Sequence, residues 1–96
     1  MTPVELRLYM KADCHLCEAT RADLERLRAR HPHTLELVDI TTDAALMRQY
    51  GERIPVVRVG GREYAAPLTA ADLERALRQA AAERVRASPQ ARPGHG

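Results

Sequence analysis

Residues 8–19 read LYMKADCHLCEA and contain both cysteines of this 96-residue chain, Cys14 and Cys17. Two residues separate them, and in an intracellular protein such a C-x-x-C pair is usually redox-active or metal-binding. A reducing cytosol does not maintain structural disulfides, so a cytoplasmic chain would use this pair for chemistry. The surrounding sequence has to decide among a disulfide centre, part of a metal site and two ordinary thiols.

The composition indicates one small globular domain. The chain has 45% hydrophobic and 29% charged residues and a formal net charge of +2. Its N-terminus lacks the basic start, apolar stretch and cleavage site of a signal peptide, which predicts a cytoplasmic location. No apolar run approaches the roughly 20 residues that span a bilayer. The chain has three tyrosines but no Phe or Trp, so it lacks the stacking aromatics that single-stranded nucleic acid requires. We expect a monomer that binds neither membrane nor nucleic acid.

The hydrophobic pattern predicts a strand before the cysteines and a helix after them. Residues 4–10 alternate apolar and polar side chains, as a half-buried strand does. The predicted buried face of the helix consists of Cys17, Thr20, Leu24 and Leu27. Asp13 is its predicted N-cap, and Pro32 ends it. We expect the histidines on either side of that proline, His31 and His33, to be solvent-exposed loop residues.

The remaining sequence continues the alternation of strands and helices. Residues 34–40 predict a second strand, and TTDAALMRQYG predicts a short helix capped by Thr42. The segments PVVRV and REYA, joined by two glycines, predict a β-hairpin. The last helix begins with Thr69 and Asp72 at capping-box spacing. Its predicted buried face consists of Leu73, Ala76, Leu77, Ala80 and Ala81.

The order β-α-β-α-β-β-α predicts an α/β domain over residues 1–86. Right-handed crossovers followed by a hairpin give a mixed four-stranded sheet flanked by helices. Residues 87–96 are rich in Pro and Gly and are predicted to form a disordered tail.

This order, with C-x-x-C after the first strand and Ile54-Pro55 before the third, resembles the thioredoxin fold. The closer resemblance is to small bacterial glutaredoxin-like proteins; it is carried by LYMKADCHLC, VDI and YGERIPVV and covers roughly residues 4–85. It implies an oxidoreductase acting on protein disulfides or glutathione mixed disulfides, with no tightly bound cofactor and glutathione as a candidate reductant. His15 and Leu16 stand where glutaredoxins usually have Pro-Tyr, and AAPLTAADL lacks the glycines that hold glutathione in them.

The predicted chemistry is dithiol–disulfide exchange, with Cys14 as the nucleophile and Cys17 as the resolving thiol. The thiolate is the reactive form. Unpaired N–H groups at a helix N-terminus favour it, as do the neighbouring Lys11 and a protonated His15. Cys17 lies one turn into the helix and is placed to displace a substrate from Cys14. Such a protein would serve cell redox homeostasis.

The loop before the third strand is expected to contact the substrate. By resemblance, Pro55 has a cis peptide bond and packs against the cysteines, and the Ile54 backbone pairs with the substrate chain. Arg53 is a candidate to meet a carboxylate of glutathione or of a peptide. Two alternatives stay open: a metal or iron–sulfur cluster held by the thiolates, within one chain or between two, and a redox-inert binding domain.

Overall fold

The computed structural model describes residues 3–87. The elements are β1 (Val4–Met10), α1 (His15–Leu27), β2 (His33–Asp39), a 3₁₀ turn (Ile40–Thr42), α2 (Ala44–Tyr50), β3 (Val56–Val59), β4 (Arg62–Ala65) and α3 (Ala70–Ala87). This is the predicted order, β-α-β-α-β-β-α. Except for its first residue, the predicted disordered tail lies outside the described residues. Among the helices of residues 3–87, none is long and apolar enough to cross a membrane.

The four strands form one mixed sheet in the order β2-β1-β3-β4. β1 pairs in parallel with β2 and antiparallel with β3, so only the first of the expected crossovers joins parallel strands. β3 and β4 form the predicted hairpin. Gly60 and Gly61 make its turn with φ values of 60° and 80°, a backbone that favours glycine at both positions. The C-terminal ends of β1, β2 and β4 therefore meet the start of β3 at one end of the sheet, which we call the upper edge.

The two faces of the sheet are covered differently. One face packs against α1 and α3 in the main core, which consists of Val4, Leu6, Leu8, Leu24, Leu27, Val57, Val59, Leu73, Ala76, Leu77 and Ala80. The other face has a smaller cluster beneath α2, formed by Tyr9, Ile40, Tyr50 and Val56. The predicted helix faces are confirmed except at Ala81, which is exposed. One further residue turns Ala81 about 100° away from Ala80, beyond the stripe that meets the sheet.

The N-cap predictions for α1 and α2 are wrong by one residue each. Cys14, with an extended backbone (φ −115°), caps α1, whereas Asp13 has a left-handed φ of 59° and so lacks the extended conformation typical of a cap. At α2 the cap is Asp43, whose carboxylate accepts the Ala45 N–H at 2.8 Å. Thr42 is instead the last residue of the preceding 3₁₀ turn.

The start of β2 and the histidine two residues before it correct three further expectations. The strand spans His33–Asp39 rather than residues 34–40, and His33 is buried at 4% exposure rather than lying in a solvated loop. The Nδ1 of His33 donates to the His31 carbonyl at 2.7 Å, because a carbonyl can only accept. His31 is half-buried and bonds Glu74 of α3 at 2.8 Å, which holds the pKa of that carboxyl below its usual value.

Candidate redox site

The strand register places the proline loop at the same end of the sheet as the cysteines. Tyr9, near the end of β1, pairs with Val56 at the start of β3. Pro55 therefore lies at the upper edge, above which the chain leaves β1 and reaches Cys14. The peptide bond between Ile54 and Pro55 is cis, which confirms that expectation from the resemblance, and Pro55 is fully buried.

Cys14 and Cys17 are joined by a disulfide with their Cα atoms 5.2 Å apart. Cys14 is half-buried at the start of α1, whereas Cys17 is fully buried at 0% exposure. The backbone N–H of Cys17 donates to the Cys14 Sγ at 3.1 Å. When the pair is reduced, that N–H and the dipole of the 13-residue α1 stabilise negative charge on the same sulfur. Cys14 is thus partly accessible to solvent, while Cys17 is shielded.

The side chains that follow β1 surround Cys14 with exposed groups. Lys11, Asp13 and His15 all extend into solvent, where charges act weakly on a neighbour. Leu16, between the two cysteines, is 62% exposed. The tuning roles predicted for Lys11 and His15 therefore remain predictions, and the exposed leucine is a feature that the sequence reasoning did not single out.

The backbone of Ile54 is open at the upper edge. The N–H of Arg53 donates to the Tyr50 carbonyl at 2.8 Å, and the carbonyl of Pro55 accepts the Ala66 N–H at 3.0 Å. Between them, within the described residues, neither the N–H nor the C=O of Ile54 has a hydrogen-bond partner. Ile54 thus offers one free donor and one free acceptor, which an added extended chain could pair.

Arg53 folds back onto its own chain. Its guanidinium lies 5.3 Å from the centre of the Tyr50 ring, and Nη2 donates to the Gln49 carbonyl at 3.2 Å. Tyr50 in turn stacks on Tyr9, with 4.2 Å between ring centres, and donates its hydroxyl to Glu63 at 2.6 Å. The bond to Glu63, assisted by burial, raises the pKa of Tyr50 to about 12. Arg53 is therefore engaged within the fold, and its contact with a substrate carboxylate stays a prediction.

A second cis proline lies beside the first. The peptide bond between Ala66 and Pro67 is cis, and the hydrogen bond from the Ala66 N–H to the Pro55 carbonyl joins the two loops. This cis bond was not predicted from the sequence, in which Pro67 directly follows the hairpin.

The N-terminus of α3 follows these loops and is closed by its own side chains. Thr69 N–H donates to Asp72 Oδ2 at 3.0 Å, and Asp72 N–H donates to Thr69 Oγ1 at 3.1 Å. These contacts confirm the predicted capping box. Arg75 adds a hydrogen bond to Asp72 Oδ1 at 2.6 Å. The bonds from Thr69 lower the pKa of Asp72 below its usual value, so the helix start already holds a carboxylate.

Two surface clefts are lined by residues other than the cysteines, and the first reaches Pro67 and Asp72 at the upper edge. One, of about 300 Å³, separates β4 from α3 and is lined by Tyr64, Leu68 and Gln79 among others. The other, of about 500 Å³, lies over the charged half of the sheet around Arg7 and Glu36. Neither cleft includes a cysteine. Across residues 3–87, no three His, Cys, Asp or Glu side chains come together as metal ligands would.

The fold and the pair define the class of protein: a thioredoxin fold with a C-x-x-C disulfide at the start of α1. The sequence profile of the glutaredoxin-like domain (DUF836) matches residues 5–88, and the chain belongs to that family. No curated protein matches the sequence.

Solved structures agree with this assignment. The structural-genomics target XcR50 from X. campestris is 39% identical with a TM-score of 0.70, covering 78% of this chain and 97% of that one. Protein Ne2328 from Nitrosomonas europaea is 29% identical with a TM-score of 0.66, covering 76% and 89%. A mutant thioredoxin from Halobacterium salinarum, 20% identical with a TM-score of 0.63, covers 82% and 75% and supports the fold alone.

Proposed function

We propose that this protein is a thiol–disulfide oxidoreductase that exchanges dithiol for disulfide through Cys14 and Cys17. The observation that carries the proposal is the unequal environment of two bonded sulfurs at one helix start. Cys14 is partly exposed and receives the N–H of Cys17, whereas Cys17 itself is fully buried. Such an arrangement suits one attacking and one resolving thiol.

The reaction proceeds in two exchanges. The Cys14 thiolate attacks one sulfur of the substrate disulfide, that S–S bond breaks, and the leaving thiolate takes up a proton. Cys17 then loses its proton and attacks the Cys14 Sγ, which releases the second substrate sulfur as a thiol. The substrate gains two electrons and two protons, and Cys14 and Cys17 end as the disulfide seen in the structure. Two equivalents of an external thiol, with glutathione as a candidate, return the pair to the dithiol and are themselves oxidised to a disulfide.

The neighbouring residues are assigned supporting roles. Ile54 and Pro55 form the surface on which the substrate lies, with the free backbone groups of Ile54 facing it. Lys11 adds positive charge near the thiolate, and His15 does so when it is protonated. The reaction needs no tightly bound cofactor. We assign it to the cytoplasm, where a C-x-x-C pair meets reduced thiols and serves redox homeostasis.

A trapping experiment tests the proposal. In Cys17→Ser the second exchange cannot occur, so the variant should accumulate a mixed disulfide through Cys14 that mass spectrometry detects after acid quenching. The matched control, Cys14→Ser, retains only the buried sulfur and should trap nothing. Trapping through Cys17 instead, or no adduct together with no turnover by the native protein, would contradict the proposed function.

A further inference from the structure

We propose that the disulfide reduced at this site lies in an extended polypeptide segment with an apolar residue next to its cysteine, and that Leu16 selects this substrate over glutathione mixed disulfides. The inference rests on the proposed function, because it names the substrate class of the same cysteine pair. Three features of the upper edge support it: an exposed leucine, an unpaired backbone and a closed anion position.

Leu16 is the first feature. It is the most exposed of the large hydrophobic side chains in residues 3–87, at 62%, ahead of Val85, Met47 and Leu37. It lies between Cys14 and Cys17 in the first turn of α1, so its apolar surface is exposed at the same helix start as the Cys14 sulfur. Transfer of apolar area out of water is favourable, so a substrate that covers Leu16 gains affinity at the point where exchange takes place.

The free backbone of Ile54 is the second feature. Its N–H and C=O have no hydrogen-bond partner within the described residues. An extended chain can satisfy both groups by pairing as a short added strand. A polypeptide provides backbone for Ile54 and a neighbouring side chain for Leu16 at the same time.

The third feature concerns anions. Glutathione carries two carboxylates, which need free N–H groups or cations. The start of α3 is already filled, because Asp72 accepts the Thr69 N–H at 3.0 Å and repels further negative charge. Arg53 is held by the Gln49 carbonyl and by the Tyr50 ring. These two anion-binding positions are therefore occupied, and glutathione would depend on exposed groups such as Lys11 for its carboxylates.

Three mixed disulfides, each with 2-mercaptoethanol on one side, serve as probes. The other side is glutathione, a short peptide with leucine next to its cysteine, or the same peptide with serine in place of that leucine. The reduced protein is mixed with each probe, and the second-order rate constant for loss of its thiols is measured. Each constant is divided by that for dithiothreitol with the same probe, which removes intrinsic differences in reactivity. Because burial of a leucine side chain is favourable, the leucine peptide should react about tenfold faster than the glutathione probe.

Two variants separate recognition from chemistry. Leu16→Ser should slow the leucine peptide about fivefold while leaving the glutathione probe and the serine peptide within about twofold. Val85→Ser removes a comparably exposed side chain (53%) near the far end of α3 and should change none of the rates. Equal or faster reaction of the glutathione probe overturns the inference, as does equal slowing of all probes by Leu16→Ser. Absence of reaction with every probe contradicts the proposed function itself.

Discussion

Helices α1 and α3 both begin at the upper edge of the sheet, but they satisfy their first N–H groups in different ways. At α3 a hydroxyl and a carboxylate, Thr69 and Asp72, close the helix reciprocally. At α1 the acceptor is a sulfur, since Cys17 N–H donates to Cys14 Sγ at 3.1 Å. The field of a helix start favours an anion in either place. One helix uses that field to hold a permanent carboxylate and the other to stabilise a nucleophile.

The difference follows from which residue occupies the cap. A carboxylate three residues into α3 belongs to a capping box and has no further chemistry. A cysteine at the cap of α1 gains the same electrostatic support, but its charged form can attack a disulfide. The position of the thiol relative to the first turn therefore makes α1 the reactive helix start and α3 the structural one.

Cys14→Ser gives the largest expected effect, because it converts the start of α1 into the kind found at α3. Serine is a favoured N-cap, so in the presence of dithiothreitol the variant should unfold in urea at nearly the same midpoint as the reduced native protein. Exchange should be lost completely, because a hydroxyl is not a nucleophile toward disulfides at neutral pH. Measurable exchange by this variant would show that Cys17 alone can act as the nucleophile.

Thr69→Ala tests the other helix start. Loss of the capping hydroxyl should lower the free energy of unfolding by about 1 kcal/mol in urea titrations. The exchange rate should stay unchanged, because Thr69 supports α3 rather than the sulfurs. Thr69→Ser retains the hydroxyl and is the matched control, expected to unfold close to the native protein. If Thr69→Ala were fully folded and still lost exchange activity, the start of α3 would not be purely structural, and the assignment of exchange to α1 alone would be contradicted.

Asp13→Asn sharpens the comparison by removing a carboxylate from the reactive end. Asp13 is exposed and directly precedes Cys14, so its charge opposes the thiolate; asparagine tolerates the left-handed φ of 59° found there. Alkylation of Cys14 by iodoacetamide at a pH where the thiolate is partly formed should accelerate about twofold, the scale of an exposed charge interaction. Glu5→Gln, at the opposite end of β1, is the control. Unchanged alkylation in Asp13→Asn would show that solvent screens this carboxylate fully.

The elements that were predictable are those whose signals are local. Period-two alternation marked β1, the glycine pair marked the hairpin, and Thr69 with Asp72 marked the start of α3. The cap of α1 was misplaced because the sequence alone does not reveal that Asp13 adopts a left-handed turn. His33 was misplaced because β2 starts one residue earlier, pairing His33 with Val4, which only the assembled sheet determines.

The features of the candidate site differ in the same way between those with a local sequence signal and those without one. Its two sulfurs and Pro55 could be located from spacing and from the resemblance. The open backbone of Ile54 was expected only by resemblance, and the sequence does not show that both its groups lack partners. The bond from Tyr50 to Glu63 joins residues 13 positions apart, across α2 and β4. Such features arise when distant segments of the chain meet in the folded protein, so no local pattern signals them.

Asp72→Asn tests the start of α3 through the pH dependence of the free energy of unfolding. We expect the smallest effect from this variant. The pKa of Asp72 is lowered by the backbone N–H of Thr69 and then by the Thr69 side chain, with a smaller contribution from Arg75. Stabilisation from a lowered carboxyl pKa is present above the unfolded value of about 4 and disappears as pH falls through the folded value. The native protein should therefore have a higher free energy of unfolding than Asp72→Asn at neutral pH. This difference should shrink at a pH well below the folded pKa of Asp72.

Urea titrations at the two pH values measure this gap, with Glu5→Gln as an exposed carboxylate control outside α3. Asparagine still accepts a hydrogen bond, so any part of the gap that persists in acid reflects geometry rather than charge. A gap that does not change with pH would mean that the field of α3 contributes nothing to holding the Asp72 carboxylate. The same field argument supports the Cys14 thiolate at α1, so that result would require another source for its stabilisation, with Lys11 and His15 the first groups to examine.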